Sequence, residues 1–259
     1  MLYNLTASLK EETVMANPFS VSVVIPAYNE EKTVGAVIAN TIKVMDEKGY
    51  PYEIIVADDG STDMTGLIAS QCKAKVLTND KNMGKGYSLR RAFQDAKGEI
   101  IVTIDSDGEH KPKEIPDLIE PLLNGTDVVC GSRFLGVSDN FTTKLNQIGN
   151  WLFNLAIMLL IGVQVTDSQS GFKALKKDVL NELNLQSDGY EIETEITVKC
   201  LMFGFVFEEK PVSCERRKHN MSKIKILEDG VRILKTIIRS SFDNAYYSSN
   251  YHSEIYVSR

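Results

Sequence analysis

The stretch Ile101–Pro112, "IVTIDSDGEHKP", runs an apolar, β-branched segment straight into Asp105, Asp107 and Glu109, three carboxylates within five residues. A short apolar run bounded by turn residues reads as a buried strand. Carboxylates this close repel one another and raise each other's proton affinity unless a cation or solvent intervenes. The cluster is therefore either a solvated acidic turn or an oxygen-rich site for a divalent metal.

Working outward, Ile100–Ile104 is one strand of a series. Val21–Ile25 reads as a strand. Glu30–Lys48 reads as a helix, with Val34, Val37, Ile38, Ile42 and Met45 on its apolar face. Ile54–Ala57 is the next strand, and "STDMTGLIASQ" opens a helix with Ser61 or Thr62 as its N-cap. A strand Lys75–Leu77 and a helix Gly86–Ala96 precede the acidic cluster; a helix Glu114–Leu123 and a strand Val128–Cys130 follow it. Such alternation predicts an α/β fold with a mostly parallel, Rossmann-like sheet flanked by helices. Ligands bind beyond the carboxyl ends of such strands. There the sequence places "PAYNE", "DDGSTD", "DSDGEH" and "GSRF".

The second half is less regular. It predicts a helix Thr142–Leu160, a loop "QVTDSQSGF", helices Lys176–Leu183 and Glu193–Phe203, and a strand Phe205–Val212. A last amphipathic helix, Ile224–Ser240, places Ile226, Val231, Leu234 and Ile238 on an apolar face. No internal repeat is visible.

At 259 residues and 43% hydrophobic, the chain can bury a sizeable core. Its 35 acidic and 29 basic residues exclude a molecule built to coat nucleic acid. Locally the balance reverses: Lys210 to Arg239 holds nine Lys or Arg against Glu215, Glu228 and Asp229. Such a segment is a solvated helix face or a site for phosphate or anionic headgroups. Cys72, Cys130, Cys200 and Cys214 are too scattered for a zinc site or a disulfide framework, which favours a reducing compartment. The N-terminal residues lack the apolar core of a signal peptide. "WLFNLAIMLLIGV", Trp151–Val163, is shorter than the roughly 18–20 residues that span a bilayer. It is a buried core helix, or a helix lying in a membrane surface or lining a lipid tail.

Other phosphate-binding chemistries fit poorly. The first turn is "PAYNEE" rather than G-x-G-x-x-G, no Walker-type loop occurs, and the spacing after Gly108 is wrong for an EF-hand. A phosphohydrolase using Asp105 as nucleophile and Asp107 as acid/base would carry that pair near its N-terminus. What remains is a divalent cation bridging a diphosphate, with Asp107 as direct ligand, Asp105 as a ribose or water-mediated contact and Glu109 as an additional oxygen. Asp58, Asp59 and Asn29, at neighbouring strand ends, either hold base and ribose or cap helices.

Taken in order, "VSVVIPAYNEE", "YEIIVADDGSTDMT", "NMGKGYSLRRAF", "GEIIVTIDSDGEH", "DVVCGSRF", "TDSQSGFKAL" and "RRKHNMSK" resemble the signature of family 2 glycosyltransferases with a GT-A fold. The subgroup resembled most is the dolichyl-phosphate (polyprenyl-phosphate) mannose and glucose synthases. The resemblance divides the chain into an N-terminal extension (1–19), a GT-A domain (20–240) and a polar tail (241–259). Within the domain, 20–135 would be the nucleotide-sugar and metal half and 136–240 the acceptor and membrane-contact half. It implies inverting transfer from a nucleoside-diphosphate sugar of the GDP-mannose or UDP-glucose class, with Mg²⁺ or Mn²⁺. Pro26, Tyr28, Glu30, Asp58, Asp59, Lys85 and Asp105 would contact the donor, and Asp105, Asp107 and Glu109 would form the metal site. Arg133 would face the phosphates or the acceptor, and Arg217, Ser222 and Lys223 would close over the diphosphate and lipid phosphate. Asp107, Arg133, Arg217 and Lys223 are the expected catalytic set.

The acceptor class has a physical argument of its own. A hydroxyl acceptor needs a carboxylate base; a lipid phosphate is already ionised and needs positive charge and positioning. The basic segment and the apolar helix meet those two needs of a lipid phosphate, which the resemblance implies is dolichyl or polyprenyl phosphate, and peripheral attachment at the cytoplasmic face of a membrane is expected. With a hydroxyl acceptor, Asp167 or Glu195 would be the base; otherwise Asp167 is structural, paired with an arginine, and Glu195 a helix residue. A catalytically silent nucleotide-sugar-binding scaffold is the reading from another class. Glu109 stands where many relatives have glutamine, and Asn220 where glycine often precedes the "SK" pair.

Overall fold

A computed structural model describes residues 19–136, 143–215 and 226–242. Its sheet has seven strands in the order β3-β2-β1-β4-β6-β5-β7. These are β1 (Val21–Ala27), β2 (Tyr52–Asp58), β3 (Lys75–Thr78), β4 (Ile100–Thr103), β5 (Val128–Ser132), β6 (Lys173–Lys176) and β7 (Phe207–Pro211). Every pairing is parallel except those of β6, which runs antiparallel between β4 and β5.

Helices cover both faces, so β1 is buried at every residue and is apolar throughout except for Ser22. Val21, Val23 and Ile25 face α1 (Val34–Lys48) and α4 (Ile115–Leu123) in one core layer. Val24 enters the other layer, with α3 (Lys85–Asp95), α6 (Lys177–Glu182) and α7 (Ile192–Met202). A third cluster joins Ile157 of α5 (Lys144–Ile161), Val198 and Leu201 of α7, and Ile233 and Ile237 of α8 (Ile226–Ser241). At about 1.5–3 kcal/mol per buried aliphatic side chain, these layers hold the sheet and its helices together.

Four expectations need correction. Nothing in the sequence reading anticipates β6: a four-residue strand opening and closing on lysine carries no alternation signal. α1 begins at Val34, because Glu30–Thr33 form a turn in which the Glu30 carbonyl accepts from the N–H groups of Thr33 and Val34. Neither Ser61 nor Thr62 caps α2 (Thr65–Gln71); the Asp63 carboxylate accepts from Thr65 N at 2.9 Å, while Ser61 Oγ is used by Asn29 N. On α8 the buried apolar residues are Ile233 and Ile237, whereas Val231, Leu234 and Ile238 stand in solvent. Its apolar residues occupy two faces at 3.6 residues per turn, and α5 and α7 cover only one.

α5 also departs from a core helix. Only Asn150 and Ile157 are buried along it, and Trp151 is 60% and Leu159 73% exposed. No helix among the described residues is long and apolar enough to cross a membrane.

Candidate active site

The carboxyl ends of β1, β2, β4 and β5 open on the same edge of the sheet. Because β6 is antiparallel, with Lys173 paired to Thr103, its leading loop "TDSQSG" arrives at that edge too.

The β1 and β2 ends are sewn together by short polar contacts. Asn29 adopts a left-handed backbone (φ 51°), which asparagine tolerates, and its Oδ1 accepts from Thr62 N at 2.8 Å. Glu30 is buried and its N–H donates to Thr65 Oγ1 at 2.8 Å. Asp58, also buried, accepts from Ser61 N at 3.0 Å. Asp59 spends its carboxylate on the chain itself: Asn79 Nδ2 (2.9 Å) and Met83 N (2.8 Å) donate to Oδ1, and Gly84 N (2.9 Å) donates to Oδ2. It thereby fixes the loop that delivers Lys85. Pro26 lies in β1, its carbonyl accepting from Ser106 Oγ at 2.8 Å, and the half-buried Tyr28 follows.

At the β4 end, Lys85 Nζ lies 2.6 Å from Asp105 Oδ1 and 2.8 Å from Glu193 Oε1. Burial alone would raise the Asp105 carboxyl, but the Lys85 charge holds it down at about 2. Burial would likewise lower the Lys85 ammonium, yet Asp105 and Glu193 hold it above its usual value. Asp107 is buried, and its Oδ1 accepts from Glu109 N at 2.9 Å. His110 is buried against Phe172, with ring centroids 5.2 Å apart. Burial, then the Arg133 charge, pushes its imidazole down to about 4, so it is neutral at pH 7.

At the β5 end, Arg133 grips Asp167: Nε to Oδ2 at 2.7 Å, a second guanidinium nitrogen to Oδ1 at 2.8 Å, and the Arg133 N–H to Oδ2 at 3.1 Å. Asp167 is wholly buried; burial would raise its carboxyl, and Arg133 holds it below the usual range. Its backbone N–H is anchored at 2.9 Å on Glu209. Asp167 is thus the structural partner of an arginine.

Glu195 is equally committed. It accepts from Gln186 N (3.1 Å) and Ser187 N (2.8 Å) and pairs with Lys199 (3.0 Å) and Arg239 of α8 (3.3 Å). Burial raises its carboxyl, but the Ser187 N–H and Lys199 bring it below its normal value.

The profile of glycosyl transferase family 2 matches residues 22–183. The chain belongs to that family. It is 34% identical over 229 residues to the uncharacterized protein MJ1222 of Methanocaldococcus jannaschii, covering 86% of this chain and 92% of that protein. It is 31% identical over 220 residues to the dolichol-phosphate mannosyltransferase of Pyrococcus furiosus, covering 79% of this chain but 59% of that protein. Glucosyl-3-phosphoglycerate synthase from Mycobacterium tuberculosis, solved with Mn²⁺, uridine diphosphate and glucosyl-3-phosphoglycerate, superposes with a TM-score of 0.69 at 26% identity, over 86% of this chain and 80% of that one. The fold is GT-A, and the protein is a glycosyltransferase.

The structure brings Pro26, Tyr28, Glu30, Asp58, Asp59, Lys85, Asp105, Asp107, Glu109 and Arg133, the residues expected at the site, to one edge of the sheet. Arg217, Ser222 and Lys223 lie outside the described residues. Among the described residues no group of three His, Cys, Asp or Glu side chains is gathered into a metal cage. The donor set is all oxygen: Asp107 and Glu109 on one turn, with Asp105 drawn toward Lys85. That set fits Mg²⁺ or Mn²⁺ held by one or two carboxylates and completed by phosphate and water, rather than a protein-only cage.

Sequence reasoning missed Glu193, Lys173 and Gly171. The acidic run "YEIETE" and the lysine in "SGFKAL" were visible, but a lysine reads as surface unless its partner is known. Gly171 is needed for close approach: a Cβ there would collide with Asp105 Oδ2 and stand 2.8 Å from Lys85 Nζ.

Proposed function

We propose that this transferase moves a hexose from a nucleoside-diphosphate sugar, GDP-mannose or UDP-glucose in class, to dolichyl or polyprenyl phosphate at the cytoplasmic surface of a membrane. An acceptor phosphate oxygen attacks the anomeric carbon from the face opposite the donor diphosphate. The new C–O bond forms as the bond to the β-phosphate oxygen breaks, the configuration inverts, and the nucleoside diphosphate leaves with the electron pair. Glu30 and Asp58 hold the nucleoside, Lys85 and Asp105 meet its ribose and diphosphate, and Arg133, Arg217, Ser222 and Lys223 gather the anionic groups that would otherwise repel. When bound, Mg²⁺ or Mn²⁺ at Asp107 and Glu109 supplies a Lewis acid that offsets charge on the leaving diphosphate.

The observation that carries the acceptor class is the state of Asp167 and Glu195. Both carboxylates expected to serve a hydroxyl acceptor are fully buried and bound by cations and backbone N–H groups. An ionised phosphate needs no base. The relative in Pyrococcus furiosus named for dolichol phosphate supports the same choice. The open apolar residues Ile148, Leu152 and Leu159 of α5, with Val231, Leu234 and Ile238 of the adjoining α8, support a membrane-surface seat. A hydroxyl acceptor is the second reading, favoured by the structural neighbour holding glucosyl-3-phosphoglycerate.

The test uses Mn²⁺ or Mg²⁺, polyprenyl phosphate in detergent, and labelled GDP-mannose, UDP-glucose or UDP-N-acetylglucosamine in separate reactions. Metal-dependent label in the organic phase from one donor, abolished in folded Asp107→Ala, is the expected result. No label from any donor with folded protein would overturn the lipid-phosphate acceptor.

A further inference from the structure

Lys173 lies in a central strand with none of its surface exposed. A lone ammonium there would be heavily penalised, and a buried ion pair gains little over well-packed apolar residues of the same volume. Its placement therefore needs a reason beyond stability. Glu193, in the first turn of α7, meets Lys173 Nζ through Oε2 at 3.0 Å, and the same ammonium donates to the Ser170 carbonyl. One carboxylate oxygen suffices for that pairing. The other, Oε1, reaches 2.8 Å from Lys85 Nζ, an ion pair by distance that lies off the direction of a good hydrogen bond.

Lys85 in turn holds Asp105. The result is a line of alternating charge, Lys173–Glu193–Lys85–Asp105, whose four formal charges cancel. It is graded in exposure. The Lys173 and Glu193 side chains are 1% and 4% exposed, while those of Lys85 and Asp105 are 13% and 27%. The buried pair is an anchor, and the accessible pair faces the donor edge. The backbone of Gly171, two residues before Lys173, lies against the Asp105–Lys85 pair and leaves no room for a side chain.

We infer that Glu193, pinned by Lys173, is a positioning residue that fixes the Lys85 ammonium beside Asp105 so that it meets the donor diphosphate in one place. A free lysine has a flexible four-carbon stem and a mobile point charge; tethering Lys85 from behind removes that freedom before the nucleotide binds. The inference rests on the donor reading given above and takes no position on the acceptor.

The test measures binding of UDP and GDP with Mn²⁺ by calorimetry, with no acceptor present. The charge-neutral pair Lys173→Met/Glu193→Gln removes the anchor without stranding a buried charge. Glu193→Asp keeps the buried negative charge but shortens the arm that reaches Lys85, so it serves even if the double variant folds poorly. Each is expected to weaken nucleotide affinity about tenfold, the usual scale for partners that orient a binding group, while circular dichroism stays that of the wild type. Adding Lys85→Met to the double variant should cost little more than Lys85→Met costs alone, because both changes act through one ammonium. Wild-type affinity in Glu193→Asp, or full additivity with Lys85→Met, overturns the inference while the donor reading stands. Absence of nucleotide binding by the wild type overturns both.

Discussion

Replacing Arg133 by Met would strip Asp167, which is wholly buried, of its guanidinium partner and the two hydrogen bonds that partner donates, leaving only the backbone N–H of residue 133. Removing one partner of a buried pair costs about 3–5 kcal/mol, because the remaining charge loses its compensation. For a chain of this size each kcal/mol moves Tm by roughly 2–4 °C, so a loss of about 4 kcal/mol lowers Tm by roughly 8–16 °C. The double variant Arg133→Met/Asp167→Leu removes both charges and should recover most of that loss. The pH dependence gives an independent check. In the wild type the Asp167 carboxyl sits below its usual range, so its contribution is present above the unfolded value of about 3.9 and is lost as pH falls below it. Without Arg133, burial dominates and raises the carboxyl, so its ionisation costs stability as pH rises past about 3.9. The two Tm curves, followed by circular dichroism, should diverge from about pH 4 toward pH 7 and converge only as pH falls well below 4. A single-variant shift below about 3 °C at pH 7, or a gap that does not depend on pH, would refute the view that Asp167 is a buried anion held by Arg133.

Three further outcomes are expected. His110 titrates near 4 in the folded protein, so stability should fall as pH drops from about 6.5 toward 4, by up to roughly 3 kcal/mol; His110→Phe should flatten that slope in denaturant titrations, and an unchanged slope would assign it elsewhere. Gly171→Ala, whose Cβ would displace Asp105 and Lys85, should reduce donor binding more than Tm, read by calorimetry beside thermal melts. Glu195→Gln should destabilise by about 3 kcal/mol through loss of the buried Lys199 pair, while the folded fraction keeps its transfer rate; a loss of about 100-fold or more would make Glu195 a general base and argue for a hydroxyl acceptor.

The parallel half of the sheet was legible because its inner strands β2, β1 and β4 are largely buried on both faces and end on polar motifs. β1, β2 and β4 therefore announce themselves as apolar runs, and Asp58, Asp59, Asp105 and Asp107 are found simply by reading past their ends. The ordered motifs likewise disclosed the family, since family membership is a property of residue order. What stayed hidden depends on partners far away in the chain. β6 carries a buried lysine whose neutralising carboxylate lies 20 residues on, so no local pattern marks it as a strand. The Asp167–Arg133 pair spans 34 positions, and the Glu195–Arg239 contact spans 44. Periodicity on α8 pointed to Ile226, Val231, Leu234 and Ile238, and only packing against α5 and α7 chose Ile233 and Ile237 for the core. The sequence by itself thus determined which groups stand at the strand ends. Tertiary structure decided which of those charges are spent on one another and which face the donor edge, because pairing energy falls off over a few ångströms and ignores distance along the chain.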